Sequence, residues 1–318
     1  MTGTDIWRTS IVTVAFQHPF LLSALFSLSA LHLISLHSSQ NTTRRQEYGQ
    51  VATRHRLKCI SGFRVEIQNL TSENSGACCA CALQLALHAW VMPGGQGADL
   101  FFPATKDGKE GQVPWYKLHR GGVEVLKSAV HWVEKGELGD LIRPWKRIRL
   151  TSQPQVLSSA VDKQEADLRK LESIPWCWNR EESALCIYDK LTLDETLDTL
   201  RYVFTLSSLL SSESPFASEI SISSCFGTLL WTTIVPPRFC EMVDERCPQA
   251  LVLVAVYCVL LKRIERLWWI KGKAENLLSA VKRELGARGW DEWLEWPLEE
   301  VEGDEMAGER DSNFLLND

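Results

Sequence analysis

The sequence predicts an all-α protein, and three observations support the prediction. Apolar residues recur at steps of three and four in nearly every segment. Glycine- and proline-rich stretches such as residues 93–114 separate these segments, and no strand pairs are recognisable. Hydrophobic residues make up 45% of the 318-residue chain, enough for a sizeable core. We expect one large helical domain over residues 1–301 and a disordered acidic tail over 302–318, which is poor in apolar residues.

The first predicted helix spans Pro19 to His37, a segment without any lysine, arginine, aspartate or glutamate. Proline suits the first position of a helix, and Ser23, Ser27 and Ala30 form a ridge on which a second helix can pack closely. The twenty uncharged residues from His18 to His37 are enough to cross a membrane, but their serines and histidines make the segment less apolar than most anchors. We therefore expect a core helix and no membrane span.

The next three helices follow in order along the chain. The second begins after an N-cap at Asn41, Thr42 or Thr43 and carries apolar side chains on the face that contains Ala52 and Cys59. The third, over 77–92, is apolar nearly all round, and the fourth restarts at Trp115. Residues 139–175 are polar and irregular, which predicts an exposed excursion with one short helix near 162–171. Further helices are expected over 180–191, over 194–210 and up to about 234.

The segment from Ala250 to Gly272 carries the strongest apolar signal in the second half. Its twelve uncharged residues, Ala250 to Leu261, are too few for a membrane span. The apolar stripe continues through Ile264 to Trp268 at helical steps, so we expect one helix of about six turns. Its first half should be buried on all sides and its second half on one side. Another amphipathic helix follows over 274–285.

Charge and motif content exclude several classes of function. The net charge is −6, so the chain is not expected to bind DNA by itself, because phosphate contacts need a basic face. Ten cysteines are too sparse for a disulfide scaffold, and the Cys78-x-x-Cys81 pair lies in an apolar helix, which favours structural thiols. The seven histidines show no metal-ligand spacing. The sequence therefore predicts no catalytic residues, no metal site and no cofactor.

Four segments in a fixed order resemble a known family. They are AFQHPFLLSALFSLSALHL, YGQVATRHRLKCISGFR, WYKLHRGGVEVL and the C-terminal block from Leu229 to Val301. Together they resemble the regulatory domain of fungal zinc binuclear cluster transcription factors, of the sterol uptake control protein type. The positions that match the family pattern are His18, Pro19, Phe20, Tyr48, Ala52, His55, Phe63, Arg64, Trp115, Leu118, Arg120, Gly121, Pro236, Phe239, Pro248, Ala250, Leu251, Tyr257, Leu260, Leu261, Trp268, Trp269, Trp293, Trp296 and Pro297.

The resemblance implies an all-helical, commonly dimeric domain with an apolar ligand pocket near the C-terminal helices. In that family a bound sterol holds the factor inactive in the cytosol, and loss of the ligand sends it to the nucleus. We therefore expect a cytoplasmic or nuclear location. Two departures are visible: the sequence before Trp7 contains no basic six-cysteine DNA-binding head, and Val256 stands where such proteins often carry a histidine.

These observations yield a function hypothesis and a predicted site. The hypothesis is a transcriptional regulator, or a headless accessory of one, controlled by a lipophilic sterol, terpenoid or polyketide. The alternatives are an isomerase or cyclase acting on an apolar metabolite and a dimerisation module that titrates full-length factors. The expected partners are a lipophilic small molecule and a second chain, either the same protein or a full-length factor. The predicted ligand-binding residues are Phe20, Val252, Val256, Val259, Trp268, Trp269, Trp290 and Trp293.

Overall fold

The computed structural model describes residues 6–37, 41–91, 101, 115–139, 158–180, 184–212, 222–286 and 288–303. Every regular element in these residues is helical, so the all-α prediction is confirmed. The chain divides into two compact units. The first comprises residues 1–95 and 113–153, and the second comprises 96–112 and 154–318. The single-domain boundary at 301 stays a prediction, and most of the acidic tail lies outside the described residues.

The described residues of the first unit form five α-helices. They are α1 (Ile11–Gln17), α2 (Pro19–Leu36), α3 (Thr42–Glu66), α4 (Ser75–Val91) and α5 (Trp115–Val133). Pro19 begins α2, as predicted, and the Asn41 side chain caps α3 by accepting a bond from the Arg44 backbone N–H at 3.4 Å. The core of this unit is built around the alanines and cysteines of α4, whose small side chains allow neighbouring helices to approach closely.

Helix α2 packs along α3, and one buried hydrogen bond and one glycine mark how closely they approach. The Ser27 hydroxyl donates to the backbone oxygen of Ala52 at 2.7 Å. At Gly62, an added Cβ would lie 2.6 Å from the Cβ of Phe20, so only glycine fits there without a shift. Helix α2 is also long and apolar enough to cross a membrane by length and composition, and one third of its residues are buried. Its assignment as a core helix stays a prediction.

The second unit contains seven α-helices in its described residues. They are α6 (Ser158–Glu172), α7 (Trp176–Asn179), α8 (Ile187–Ser212), α9 (Ile222–Ile234), α10 (Pro237–Asp244), α11 (Pro248–Arg263) and α12 (Lys273–Gly286). A short 3₁₀ turn at Asp291–Trp293 precedes a helical stretch over 295–303. All thirteen residues from Gln249 to Leu261 are buried, which confirms that the first part of the predicted spine helix is enclosed on every side.

The prediction of a six-turn spine helix was wrong in its second half. Helix α11 ends at Arg263, and residues 264–272 form successive turns closed by i to i+3 hydrogen bonds such as Leu267 N–H to the Ile264 oxygen at 3.1 Å. The Glu265 carboxylate accepts from the Gly272 N–H and pairs with Lys262 at 2.7 Å. Gly272 has a φ of +74°, a conformation that disfavours most other residues. These contacts stabilise the turns after Arg263, where the helix has ended although the apolar spacing continues.

The short helix predicted near 162–171 is confirmed and is longer than expected, whereas the exposed excursion over 139–175 otherwise stays a prediction. Helix α6 is fifteen residues long, and its Asp167 and Leu171 are buried together with Ile174 just beyond it. These three positions are spaced by four and three residues, so they form one inward-facing stripe. The polar residues on the other faces concealed this stripe. Residues 140–157 lie outside the described residues.

Candidate functional site

The predicted site residues fall in both units. Phe20 lies in the first unit, where its ring contacts the rings of His18 and Phe63 and its Cβ faces Gly62. The other seven residues lie in the second unit, on α11 and in the turns that follow α11 and α12. A ligand contact at Phe20 stays a prediction, and the site described below rests on the second unit alone.

Three of the predicted residues share one face of α11. Val252, Val256 and Val259 are spaced by four and three residues and are buried. The same stripe reaches Arg263, four residues after Val259, at the C-terminal end of the helix. We call Val252, Val256 and Val259 the valine face. The contacts of Arg263 show which elements lie at the end of this face.

The Arg263 side chain joins α11 to α6 and α8. Its Nη2 donates to Asp167 Oδ1 at 2.8 Å, and the guanidinium lies 5.2 Å from the centre of the Phe204 ring on α8. The Glu300 carboxylate is 4.0 Å from the same nitrogen. Asp167 is only 4% exposed, so its charge depends on this partner. The valine face therefore leads to a polar junction of three helices.

Three polar atoms at this junction are buried and have no hydrogen-bond partner. They are Oδ2 of Asp167, Nε of Arg263 and Oε1 of Gln164. Gln164 lies one turn before Asp167 on α6, and its amide nitrogen donates to Thr205 on α8 at 3.3 Å. We call Gln164, Asp167 and Arg263 the Asp167 site. Buried polar atoms without partners are uncommon because each costs about 1–3 kcal/mol.

The unpaired atoms define the chemistry that would satisfy them. Asp167 Oδ2 and Gln164 Oε1 are acceptors, whereas Arg263 Nε is a donor. A hydroxyl group can donate to an acceptor and accept from the guanidinium at the same time. A carboxylate would instead face the Asp167 anion without a proton to share. The site is therefore suited to an alcohol, a phenol or a water molecule.

The opposite side of α11 is a solid aromatic core. Tyr257 stacks on Trp231 with ring centres 4.5 Å apart, and Phe239 meets Trp231 edge-on at 5.4 Å. The Tyr257 hydroxyl donates to the Thr228 oxygen at 3.2 Å, and burial holds the pKa of this phenol well above its usual value. These side chains are fully buried. This side of the helix therefore stabilises the fold and anchors the valine face.

The four predicted tryptophans are only partly buried. Trp268 and Trp269 lie in the turns after α11, and Trp290 and Trp293 lie around the 3₁₀ turn after α12. The Arg180 guanidinium lies 5.2 Å from the Trp293 ring centre and also pairs with Glu292. A role of these four side chains in ligand binding stays a prediction.

The predicted structural thiols lie in the core of the first unit. Cys78 and Cys81 are fully buried, and burial raises the pKa of Cys78 to about 12, so it remains a thiol. The Cys81 sulfur lies 3.3 Å from the Cys59 sulfur on α3. Among the described residues, no cluster of histidine, cysteine, aspartate or glutamate side chains could hold a metal ion.

Sequence reasoning missed the Asp167 site. It placed Gln164 and Asp167 in an exposed excursion and read Arg263 as part of a continuing helix. One signal was present: Asp167 is an acid on the stripe that also carries Leu171 and Ile174, and an acid on an apolar stripe is uncommon unless it is paired.

Comparison with known proteins supports the family resemblance. A profile described as the fungal specific transcription factor domain matches residues 4–95. A Zn(2)-C6 fungal-type transcription factor of Gibberella zeae is 23% identical over 310 residues, covering 92% of this chain and 56% of the relative. The chain is thus similar, over most of its length, to a fungal zinc binuclear cluster transcription factor.

Two of these relatives are named sterol uptake control protein 2. The Candida albicans protein is 28% identical over 157 residues, which cover 45% of this chain and 20% of that protein. The Saccharomyces cerevisiae protein is 32% identical over 97 residues, which cover 30% of this chain and 10% of that protein. The chain thus spans about half of its Gibberella zeae relative and smaller parts of these two. No solved structure matches the chain.

Proposed function

We propose that the chain is the ligand-sensing regulatory part of a fungal transcription factor, or an accessory of such factors. Its ligand is a lipophilic molecule with a hydroxyl group, such as a sterol, a terpenoid or a phenolic polyketide. The apolar body of the ligand lies on the valine face, and the hydroxyl bonds to the Asp167 site. The ligand-bound form is held in the cytoplasm, and the factor acts in the nucleus once the ligand is lost.

One observation supports this proposal above the others. Two unpaired acceptors and one unpaired donor lie buried at the end of an entirely buried valine face. A hydroxylated apolar molecule has the matching distribution: one group that donates and accepts, and a large surface that gains free energy when it leaves water. Val256 stands where the resembled family often carries a histidine, and the Asp167 site would supply the polar contact with the ligand instead.

The relatives support a regulatory role rather than an enzymatic one. The Gibberella zeae relative is named as a transcription factor, and the fungal specific transcription factor profile covers the N-terminal part of this chain. DNA contacts would come from a partner or from another part of the protein, because this chain carries a net charge of −6. A dimer with a full-length factor would bring such a DNA-binding head to the complex.

A thermal shift assay with paired ligands tests the proposal. Each sterol, terpenoid or phenol is compared with its own methyl ether, which cannot donate a hydrogen bond. A ligand that binds only the folded protein raises Tm, and the alcohol should raise it more than the ether. In Asp167→Asn, which removes the carboxylate acceptor and preserves the shape, the preference for the alcohol should disappear.

A matched pair of substitutions on α11 tests where the apolar body lies. Val256→Trp should fill the ligand space and abolish the Tm shift, while Val254→Trp faces away from the valine face and should mainly overpack the core at about 1–3 kcal/mol. We expect the ligand-free Val256→Trp protein to be the more stable of the two. If no alcohol raises Tm and both variants are equally destabilised, the core is solid and the proposal is wrong.

A further inference from the structure

An open apolar groove lies between α2 and α3 in the first unit. Its volume is about 740 Å³, with Leu31 and Ile34 of α2 on one side. On the other side, the groove follows the stripe of α3 from Gln46 through Gly49 to Leu57. This stripe covers three turns, or about 16 Å at 1.5 Å per residue. The groove therefore has the length and the character to accept a short helix.

Gly49 keeps the groove open at its centre. A Cβ added at Gly49 would have no heavy atom within 4 Å, so its own fold does not require a glycine there. A glycine inside a helix costs about 0.5–1 kcal/mol relative to alanine. Gly62 on the same helix is explained by Phe20, at 2.6 Å from the added Cβ. Gly121 on α5 also has no neighbour within 4 Å of an added Cβ, but it does not line the groove. Open space at a glycine is therefore not by itself evidence of a binding site.

The rim of the groove is positively charged in an acidic chain. Helix α3 contains six lysines and arginines against two glutamates, a net charge of +4, whereas the whole chain carries −6. Arg45 is engaged, because it donates to the carbonyl oxygens of Ile34 and His37 at the end of α2. Arg54 lines the groove, and neither Arg54 nor Lys58 makes an ion pair with any described residue. The pKa of His55 is lowered mainly by burial and further by the charges of Lys58 and Arg54. The three side chains therefore form one cluster.

We propose that this groove binds an acidic amphipathic helix of another protein. Apolar side chains at helical spacing would lie on Leu31, Ile34 and the Gly49 surface, which is the usual helix-in-groove arrangement. Glutamates or aspartates on the flanks of that helix would pair with Arg54 and Lys58. Leu57, which lines the groove and is 62% exposed, would be covered on binding. This inference is independent of the ligand-sensing function.

The charge pattern favours this occupant over a second copy of the chain or a nucleic acid. A two-fold axis through the groove would bring the Arg54 cluster of one copy close to the same cluster of its partner, and like charges repel. A nucleic acid would meet the cations but leave the apolar floor of the groove unfilled. An acidic amphipathic helix satisfies both features at once.

Fluorescence anisotropy with designed peptides tests the inference. The probe is a labelled fifteen-residue peptide with leucines at steps of three and four and glutamates elsewhere, and its control has lysines in place of the glutamates. The glutamate peptide should bind, and the lysine peptide should not. Gly49→Leu fills the groove and should weaken binding at least tenfold. Gly121→Leu is the matched control, since it makes the same change at an equally open helical position outside the groove.

Charge reversal provides a second arm. Arg54→Glu should weaken the glutamate peptide and strengthen the lysine peptide, whereas Lys282→Glu on the exposed face of α12 should change neither. Thermal denaturation confirms that each variant is folded. The inference is wrong if both peptides bind equally, or if Gly49→Leu and Gly121→Leu have the same effect. It is also wrong if the surface instead binds phosphatidylserine vesicles or forms dimers that Gly49→Leu disrupts.

Discussion

Replacing each of two glycines on α3 by alanine should change stability in opposite directions. At Gly49 the new methyl group meets no atom within 4 Å, so the change only removes the helix cost of glycine. We expect Gly49→Ala to raise the free energy of unfolding by about 0.5–1 kcal/mol. At Gly62 the same methyl group would lie 2.6 Å from the Cβ of Phe20, which cannot rotate away because it is fixed to the backbone.

The difference between the two variants isolates the contact of α2 with α3. Both changes gain the same helix propensity, so the propensity cancels and the overpacking cost remains, at about 1–3 kcal/mol. Urea denaturation of both proteins at one pH measures this difference as a shift in the midpoint at constant slope. Gly62→Ala should be the less stable variant by that amount.

The Phe20 ring supplies a control for this reasoning. The close atom is the Cβ of Phe20, which leucine also has, so the penalty of Gly62→Ala should persist in a Phe20→Leu background. If Gly62→Ala is as stable as Gly49→Ala, α2 and α3 do not approach as closely as the structure shows. If Phe20→Leu removes the penalty, the ring rather than the backbone sets the distance.

Four further predictions follow from charge and burial. Burial lowers the pKa of His88 and of His119 from 6.5 to about 4. Between these two pH values the histidines are protonated in the unfolded chain and neutral in the folded chain. The free energy of unfolding should therefore fall by about 2 kcal/mol per histidine as the pH drops from 7 to 5. In His88→Gln the contribution of His88 to this fall should be absent, as measured by urea denaturation at both pH values. Arg263→Met leaves the Asp167 charge buried without a partner and should cost about 3 kcal/mol, which adding Asp167→Leu should largely restore, as measured by denaturation. The purified chain should show no sequence-selective binding to duplex DNA at about 0.15 M salt in a mobility-shift assay, since its net charge is −6 and phosphate contacts need a basic face. The protein should be released from membranes by a carbonate wash, and retention that depends on Pro19–Leu36 would show that α2 is an anchor.

Helical periodicity predicts where helices exist better than where they end. Helix α2 begins at Pro19 as expected, because proline leaves a signature in the sequence. Helix α11 ends at Arg263, where Glu265 pairs with Lys262 and accepts from the Gly272 N–H, and apolar spacing does not reveal these local polar contacts. The apolar residues beyond Arg263 are still buried in part, but by turns rather than by a helix.

The candidate site was half predictable for a related reason. The valine face is a property of one helix, so its three members could be read from the sequence. The Asp167 site joins residues 164, 167 and 263, which are distant in the chain and come together only when α6, α8 and α11 pack. A buried acid can be suspected from its apolar neighbours on a stripe, but its partner cannot be found until the helices are in place.

Two adjacent cations at the end of α11 form ion pairs with different helices, so a ligand could affect one of these contacts without the other. Lys262 pairs with Glu265 and with Glu275 on α12, whereas Arg263 pairs with Asp167 on α6. A hydroxyl that bonds to Asp167 Oδ2 and Arg263 Nε would complete the second junction without touching the first. Ligand binding should therefore tighten α6 against α11 while the contact with α12 stays as it is. Amide hydrogen exchange that slows in α6 and is unchanged in α12 would be the signature of this selective tightening.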